Sequence, residues 1–298
     1  MMLRSQSTAN ASNTPTDNAS HQTHGRSTHT LRHSLVSPAT GFPFLLLAMS
    51  LTAMSLTAPL ILGVLLAAGS NSIAQAQEKP DAPVPEPLTK YLGRRIALPM
   101  SYHGIPWLNR PERIQEENPE EMLEQLKVQP GMTVCDMGCG DGYYTIELAR
   151  RVGPTGKVIA VDIQPEMLQE LSRRCEQNNL KNVDMILGLP HDPKLPEGKL
   201  DLILMVDVYH EFSNPIEMLE SMRNSLKKDG RIALVEFRGE DPQVPIKPEH
   251  KMTKKQILKE YEANAFRLVD QYDRLPWQHL MFLGPDDTKR NETNDKNK

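Results

Sequence analysis

From about residue 130 onward, apolar residues come in short runs broken by turn residues, and longer stretches between the runs carry a helical period. The runs around Val134, Val158–Val161, Leu202–Val206 and Ile232–Val235 are rich in β-branched and aliphatic residues. Strands are expected near 132–136, 157–162, 183–187, 201–206 and 231–237, with two more near 267–273 and 279–283. Strands alternating with helices predict an α/β fold, a doubly wound, mostly parallel sheet covered on both faces. Helix starts are punctuated by Asn118-Pro119, Pro165 and Pro215, each proline at a first-turn position where its missing N–H does no harm. Gly153 and Gly230 are the expected stops, and Thr253 with Gln256 forms a capping box before Ile257 and Tyr261.

The rest of the chain reads differently. Residues 1–40 are rich in Ser, Thr, Asn and His, too polar to order themselves. An uncharged stretch over 41–77 contains Leu45–Leu47 and Leu60–Leu66 and closes on Ala74-Gln75-Ala76, a small-x-small pattern suited to signal peptidase. It is longer than an ordinary signal core and is interrupted by Pro59, so a cleaved signal and a retained membrane anchor both fit. Arg4, Arg26 and Arg32 before it predict an inside N-terminus and an exported remainder, periplasmic or anchored to the inner membrane. A mis-assigned start codon, with Met49, Met54 or Met100 as the true one, would instead leave the protein cytoplasmic. The proline-dense residues 78–95 read as a stiff linker, 96–284 as the folded domain and 285–298 as a polar tail.

Composition narrows the classes. A formal net charge of −4 with no basic tract gives no footprint for nucleic acid. Three cysteines form no disulfide framework, and the Cys135-x3-Cys139 pair has no second pair of Cys or His in sequence to complete a metal site. No metal is therefore expected.

Chemistry concentrates in the run Val134 to Tyr144. Three glycines at alternate positions, Gly138, Gly140 and Gly142, follow a strand ending in Asp136, and the next strand ends in Asp162. A glycine turn between a buried strand and a helix admits a ligand to the backbone. An acid at the tip of the neighbouring strand accepts from a ribose diol. Together they describe a site for an adenosine-containing ligand. The dinucleotide fingerprint needs glycine at position 143, where Tyr143 stands, which disfavours NAD.

The pattern Asp136-x-Gly138-x-Gly140-x-Gly142 resembles the first motif of the class I S-adenosylmethionine (SAM)-dependent methyltransferases, particularly bacterial enzymes acting on small molecules, quinone methyltransferases among them. The resemblance is strongest over about 110–240. It implies the Rossmann-like seven-stranded sheet with an antiparallel last strand, SAM as cofactor and a small-molecule methyl acceptor. It also implies a cofactor site made of Asp136, Gly138, Cys139, Gly140, Gly142, Tyr144, Asp162, Ile163 and Asp207. One departure stands out: such relatives usually carry an Asp after the third strand for the adenine, whereas Gly188 is followed here by Leu189, with Asp192 further along.

Downstream, Leu200–Val206 reads as a central strand delivering Asp207-Val-Tyr-His-Glu211 to the edge where ligands bind in open α/β sheets. His210 is the expected base for an acceptor hydroxyl or acidic carbon, with Glu211 or Glu236 behind it. The competing reading makes Tyr209 core and His210 and Glu211 caps of the following helix. Arg238 and His250 lie in a loop at the same edge, and 102–113 are placed to fold over a cofactor. Rival functions are a SAM-fold enzyme of another reaction type and a non-catalytic SAM-binding module.

Overall fold

The computed structural model describes residues 83–288. The polar N-region, the export or anchor segment and the end of the tail lie outside the described residues. Among the described residues, no helix is long and apolar enough to cross a membrane.

The elements that frame the site are, in chain order, α1 (Pro119–Gln125), β1 (Thr133–Met137), α2 (Thr145–Val152), β2 (Lys157–Asp162), α3 (Pro165–Gln177), β3 (Val183–Leu187), β4 (Leu200–Val206), α4 (Pro215–Ser225), β5 (Leu226–Phe237), α5 (Lys254–Ala263), β6 (Phe266–Tyr272) and β7 (Gln278–Pro285). The seven strands form one sheet in the order β3-β2-β1-β4-β5-β7-β6. The first five strands pair in parallel, and β7 runs antiparallel to both β5 and β6. This is the doubly wound α/β architecture of the class I methyltransferase fold. Its strand order reverses at β1, and such a switch point opens a crevice at the carboxyl ends of the strands.

Alternation on the strands explains why both faces are covered. Leu202, Leu204, Ala233 and Val235 join the cluster around Met122, Leu148 and Phe282. Ile203, Met205, Ile232 and Leu234 turn the other way, onto Leu219, Tyr261 and Phe266. Strands buried on both faces read as near-continuous apolar runs, and that is the pattern in the sequence.

Gly230 behaves differently from expectation. The chain leaves α4 at Ser225 in extended conformation, and Leu226 pairs with Leu200. A Cβ at Gly230 would lie 2.6 Å from the Leu200 carbonyl oxygen, so this glycine permits close backbone approach and does not stop a helix. The Thr253 cap forms, with the Gln256 amide donating to Thr253 Oγ1 at 3.1 Å. The reciprocal half of the box does not, because the Gln256 side chain donates to Glu260 and to the Leu92 carbonyl.

The proline-rich stretch before the domain is docked along part of its length. Asn214 Nδ2 donates to the carbonyls of Pro85 and Glu86, and the Leu88 amide donates to Ser213. A two-residue hairpin, Lys90–Tyr91 with Arg94–Arg95, follows, and the Ala97 amide donates to the His210 carbonyl. Proline density specifies an extended path; these hydrogen bonds fasten it to the turn after β4.

Candidate functional site

The turn after β1 holds Gly138, Gly140 and Gly142 at φ values of 70°, 54° and 90°. At Gly138 glycine is required twice over: a Cβ would meet Val208 Cγ2 at 2.4 Å in a left-handed conformation that L side chains avoid. The Gly138 and Cys139 amides donate to the Val161 carbonyl, tying the turn to the end of β2. Asp162 completes that tie, its Oδ2 accepting from the Gly140 amide and its Oδ1 from the Gln164 amide, each at 2.9 Å. Burial raises the Asp162 pKa, and those two N–H groups oppose the rise.

Asp136 lies deeper. Its Oδ2 accepts from the Thr145 hydroxyl at 2.5 Å, which fastens the start of α2 to β1. Burial pushes its pKa up to about 6, with the Asp162 charge adding to the rise. The Cys139 side chain packs into an apolar cluster with Ile146, Leu171 and Cys175. Tyr144 is buried, and its hydroxyl accepts from Arg113 Nη2 at 3.2 Å. Ile163, Leu187 and Leu189 are exposed apolar side chains at the ends of β2 and β3, and Leu187 is the register partner of Asp162. Asp207 adopts a left-handed conformation (φ 52°), and its Oδ2 accepts from Gln278 Nε2 at 2.6 Å. Burial, reinforced by Glu117 and Glu236, drives its pKa well above the usual carboxylate range.

A cover crosses this edge of the sheet. The Met100 amide donates to Glu211 Oε1 (3.2 Å), and the Met100 carbonyl accepts from Gln164 Nε2 (2.9 Å). The Tyr102 amide donates to Gln164 Oε1 (2.8 Å), and Asn109 Nδ2 donates to Asp141 Oδ2 (2.6 Å). Gln164 follows β2, Glu211 follows β4, and β1 lies between those strands, so the segment passes over the end of β1 and its glycine turn. Beyond it, Arg110 stacks 3.7 Å from the Trp107 ring centre and pairs with Glu116 and Glu117. Buried Arg113 pairs with Glu117 at 2.7 Å.

On the β4 side, a short turn over Tyr209–Glu211 sorts its three residues. Tyr209 is core, and its hydroxyl donates to Glu260 Oε2 at 2.9 Å. His210 is buried over Glu236: its amide donates to Glu236 Oε1 (3.2 Å), and its Nδ1 lies 2.6 Å from Glu236 Oε2. Its Nε2 lies 3.0 Å from His250 Nδ1. Burial alone would lower the His210 pKa, but the Glu236 charge and hydrogen bond outweigh it and the net movement is upward. His250 moves down, through burial and the His210 charge. Burial pushes Glu211 up to about 7. Neither His210 nor Glu211 caps α4, whose N-cap residue is Asn214.

The structure places the glycine turn, Asp136, Asp162 and the His210 turn at one edge of the sheet, where the sequence reading expected them. That reading missed Arg94, whose guanidinium reaches Glu260 and the His210 carbonyl, and it missed the pairing of His250 with His210. Those contacts join residues 40 to 166 positions apart, and no local pattern announces them. Arg238 has a structural role instead of an open one, its side chain donating to the carbonyls of Asp273, Leu275 and Gln278.

The residues fit an adenosine ligand. The glycines let the turn adopt its left-handed path packed against Val208 and Leu171, the Asp162 carboxylate is held in a fixed orientation, and Ile163 and Leu187 supply apolar surface beside it for a planar base.

Comparisons with known proteins agree with this geometry. The family described as "Methyltransferase domain" matches residues 128–281. A ribosomal protein L11 methyltransferase of Burkholderia mallei is 36% identical over 155 residues, covering 52% of this chain and 44% of its own. An uncharacterised 37.1 kDa protein from a Streptomyces fradiae transposon is 35% identical over 115 residues, covering 39% of this chain and 33% of its own. The chain thus spans less than half the length of these curated relatives. A SAM-dependent methyltransferase from Aquifex aeolicus superposes with a TM-score of 0.58 at 26% identity, over 62% of this chain and 98% of its own.

Proposed function

Since the chain belongs to the methyltransferase-domain family, we propose that the protein transfers the methyl group of SAM to a small-molecule acceptor whose reacting atom carries a dissociable proton. SAM is the cofactor of this domain. When bound it supplies a methyl already activated on a sulfonium. The residues given above then have separate tasks. The glycine turn and Asp162 hold the cofactor, and the cover from Met100 to Asn109 excludes water. His210 takes the acceptor's proton at Nε2, and Glu236 is its positioning residue.

One observation carries the reading. A carboxylate at Glu236 only accepts, so a neutral His210 carries its proton on Nδ1 at this 2.6 Å contact, and its Nε2 lone pair faces His250 Nδ1 at 3.0 Å, a contact that an acceptor's proton must displace. Holding donor and acceptor in line supplies roughly 7–11 kcal/mol in favourable cases, and a positioned base adds about 10²–10⁴-fold.

The test follows S-adenosylhomocysteine release by the full chain against a panel of hydroxyl, thiol and carbon acids, with SAM affinity measured by calorimetry. His210→Ala is expected to reduce turnover about 10²–10⁴-fold while leaving SAM affinity unchanged; full activity removes it as the base. A protein acceptor is the second reading, favoured by the name of the Burkholderia mallei relative. Methyl label recovered in acid-precipitable protein, and in no small molecule, would select it.

The N-terminal sequence supports a further proposal, that residues 41–77 export the domain. In a bacterial host, the full chain is expected in the periplasm or inner membrane and a chain lacking 41–77 in the cytoplasm; an unchanged distribution refutes export.

A further inference from the structure

Three side chains at the β4–β5 edge converge without any sequence motif to bring them together. His210 and Glu211 come from the turn after β4, and His250 from a short turn over Pro248–His250 in the loop after β5. His210 Nε2 and His250 Nδ1 are 3.0 Å apart, and Glu211 Oε1 lies 3.9 Å from the first and 4.0 Å from the second. The point equidistant from the three atoms lies about 2.1 Å from each, within the zinc bond lengths to imidazole nitrogen and carboxylate oxygen. We propose that His210, His250 and Glu211 form a binding site for one divalent transition-metal ion, zinc by its donor set.

The surroundings are those a metal site requires. Glu236 accepts the Nδ1–H of His210, and a carboxylate behind a ligating histidine orients the ring and raises its basicity. Nε2 faces the other two donors and lies within hydrogen-bond distance of His250 Nδ1; an ion would take the place of the proton between those two nitrogens. Side-chain exposures of 2% for His210, 15% for Glu211 and 29% for His250 describe a site closed below and open on one side. Two imidazoles and one carboxylate leave a fourth position free, the composition of catalytic zinc sites.

The proposal goes beyond the function given above and does not depend on it. One nitrogen cannot do both tasks at once. With the ion in place Nε2 would be a ligand, and an acceptor thiol or hydroxyl in the fourth position would give its proton to solvent through the open side of the site while the ion held the resulting anion. Without the ion, Nε2 takes the proton itself.

The experiment titrates the metal-stripped full chain with Co²⁺ and follows the visible d–d bands that a low-coordinate site produces. Zinc content is measured in parallel by elemental analysis, and SAM affinity by calorimetry. One ion per chain is expected, with His250→Ala abolishing the bands while the melting temperature and SAM affinity persist, and Glu211→Gln, which keeps an oxygen to accept from the Met100 amide, abolishing them too. Glu236→Gln is expected to weaken binding about 10–100-fold without removing a ligand. His21, His24, His29 and His33 are further imidazoles outside the described residues, so the variants carry the distinction. Binding undiminished in His250→Ala and Glu211→Gln, or no stoichiometric binding at all, overturns the site. Activity in the chelated enzyme that His210→Ala abolishes would sustain the base while leaving the metal result to the titration, so the two readings fail separately.

Discussion

Arg94 offers the sharpest test of how the site is held. Its Nε and Nη2 donate to the two carboxylate oxygens of Glu260 at 2.8 and 2.9 Å, and Nη1 donates to the His210 carbonyl at 2.8 Å. The pair is buried, with side-chain exposures of 8% and 0%. Glu260 receives two more hydrogen bonds, from Tyr209 and Gln256 at 2.9 and 2.7 Å, but neither donor carries charge. Arg94→Ala therefore strands a carboxylate in the core, a defect that costs about 3–5 kcal/mol. For a domain of this size each kcal/mol moves the melting temperature by about 2–4 °C, so a fall of about 6–20 °C is expected by calorimetry. Adding Glu260→Gln removes the stranded charge, and the double variant should melt well above Arg94→Ala, with a coupling of about 2–3 kcal/mol. Arg94→Lys should recover little, because an ammonium cannot reproduce the two-pronged contact. A fall below about 3 °C for Arg94→Ala, or strict additivity in the double variant, refutes the reasoning.

Two further outcomes follow from the carboxylates of the cofactor side. Asp162→Ala should weaken SAM binding about 10–100-fold, since it removes charge-assisted hydrogen bonds to the ribose and frees the Gly140 amide; unchanged affinity by calorimetry sinks the ribose assignment. Asp136, raised from 3.8 to about 6, favours its protonated form in the folded state. Its contribution to stability is complete below the unfolded value and lost as pH rises through about 6, a swing of roughly 3 kcal/mol. Asp136→Asn keeps an acceptor for Thr145, so its melting temperature should gain on the parent's between about pH 4 and 7; a pH-independent gap would contradict this.

The sheet was legible because its central strands β1, β2, β4 and β5 carry apolar runs buried on both faces and the helices between them are punctuated by proline or glycine. Strand ends were right to within a residue or two, apart from β5, where Leu226 pairs with Leu200 before the apolar run begins. The glycine turn was legible because backbone geometry there demands particular residue types at fixed offsets. His210 was visible as an imidazole at a strand tip, but its environment was not. Glu236 stood among the residues expected behind it, and it does lie there, but His250 and Arg94 reach it from 40 and 116 positions away, and that convergence depends on strand order, which local pattern does not encode.

Met100 has a kinetic consequence. The stretch from Met100 to Asn109 is clasped by four short hydrogen bonds, to Glu211, Gln164 (two) and Asp141, and by a longer fifth (3.4 Å) from Arg174 to Asn109. At about 1 kcal/mol net each, parting the four short ones costs about 4 kcal/mol, which leaves roughly one molecule in a thousand open at any instant. A ligand entering beneath the clasp meets only that fraction, and its apparent dissociation constant rises in proportion. The same clasp delays departure, so the spent cofactor waits on reopening as the fresh one does. Since Met100 is tied to the His210 turn at one end and to the end of β2 at the other, both halves of the crevice unlatch together. Turnover then has a ceiling set by how often ten residues let go.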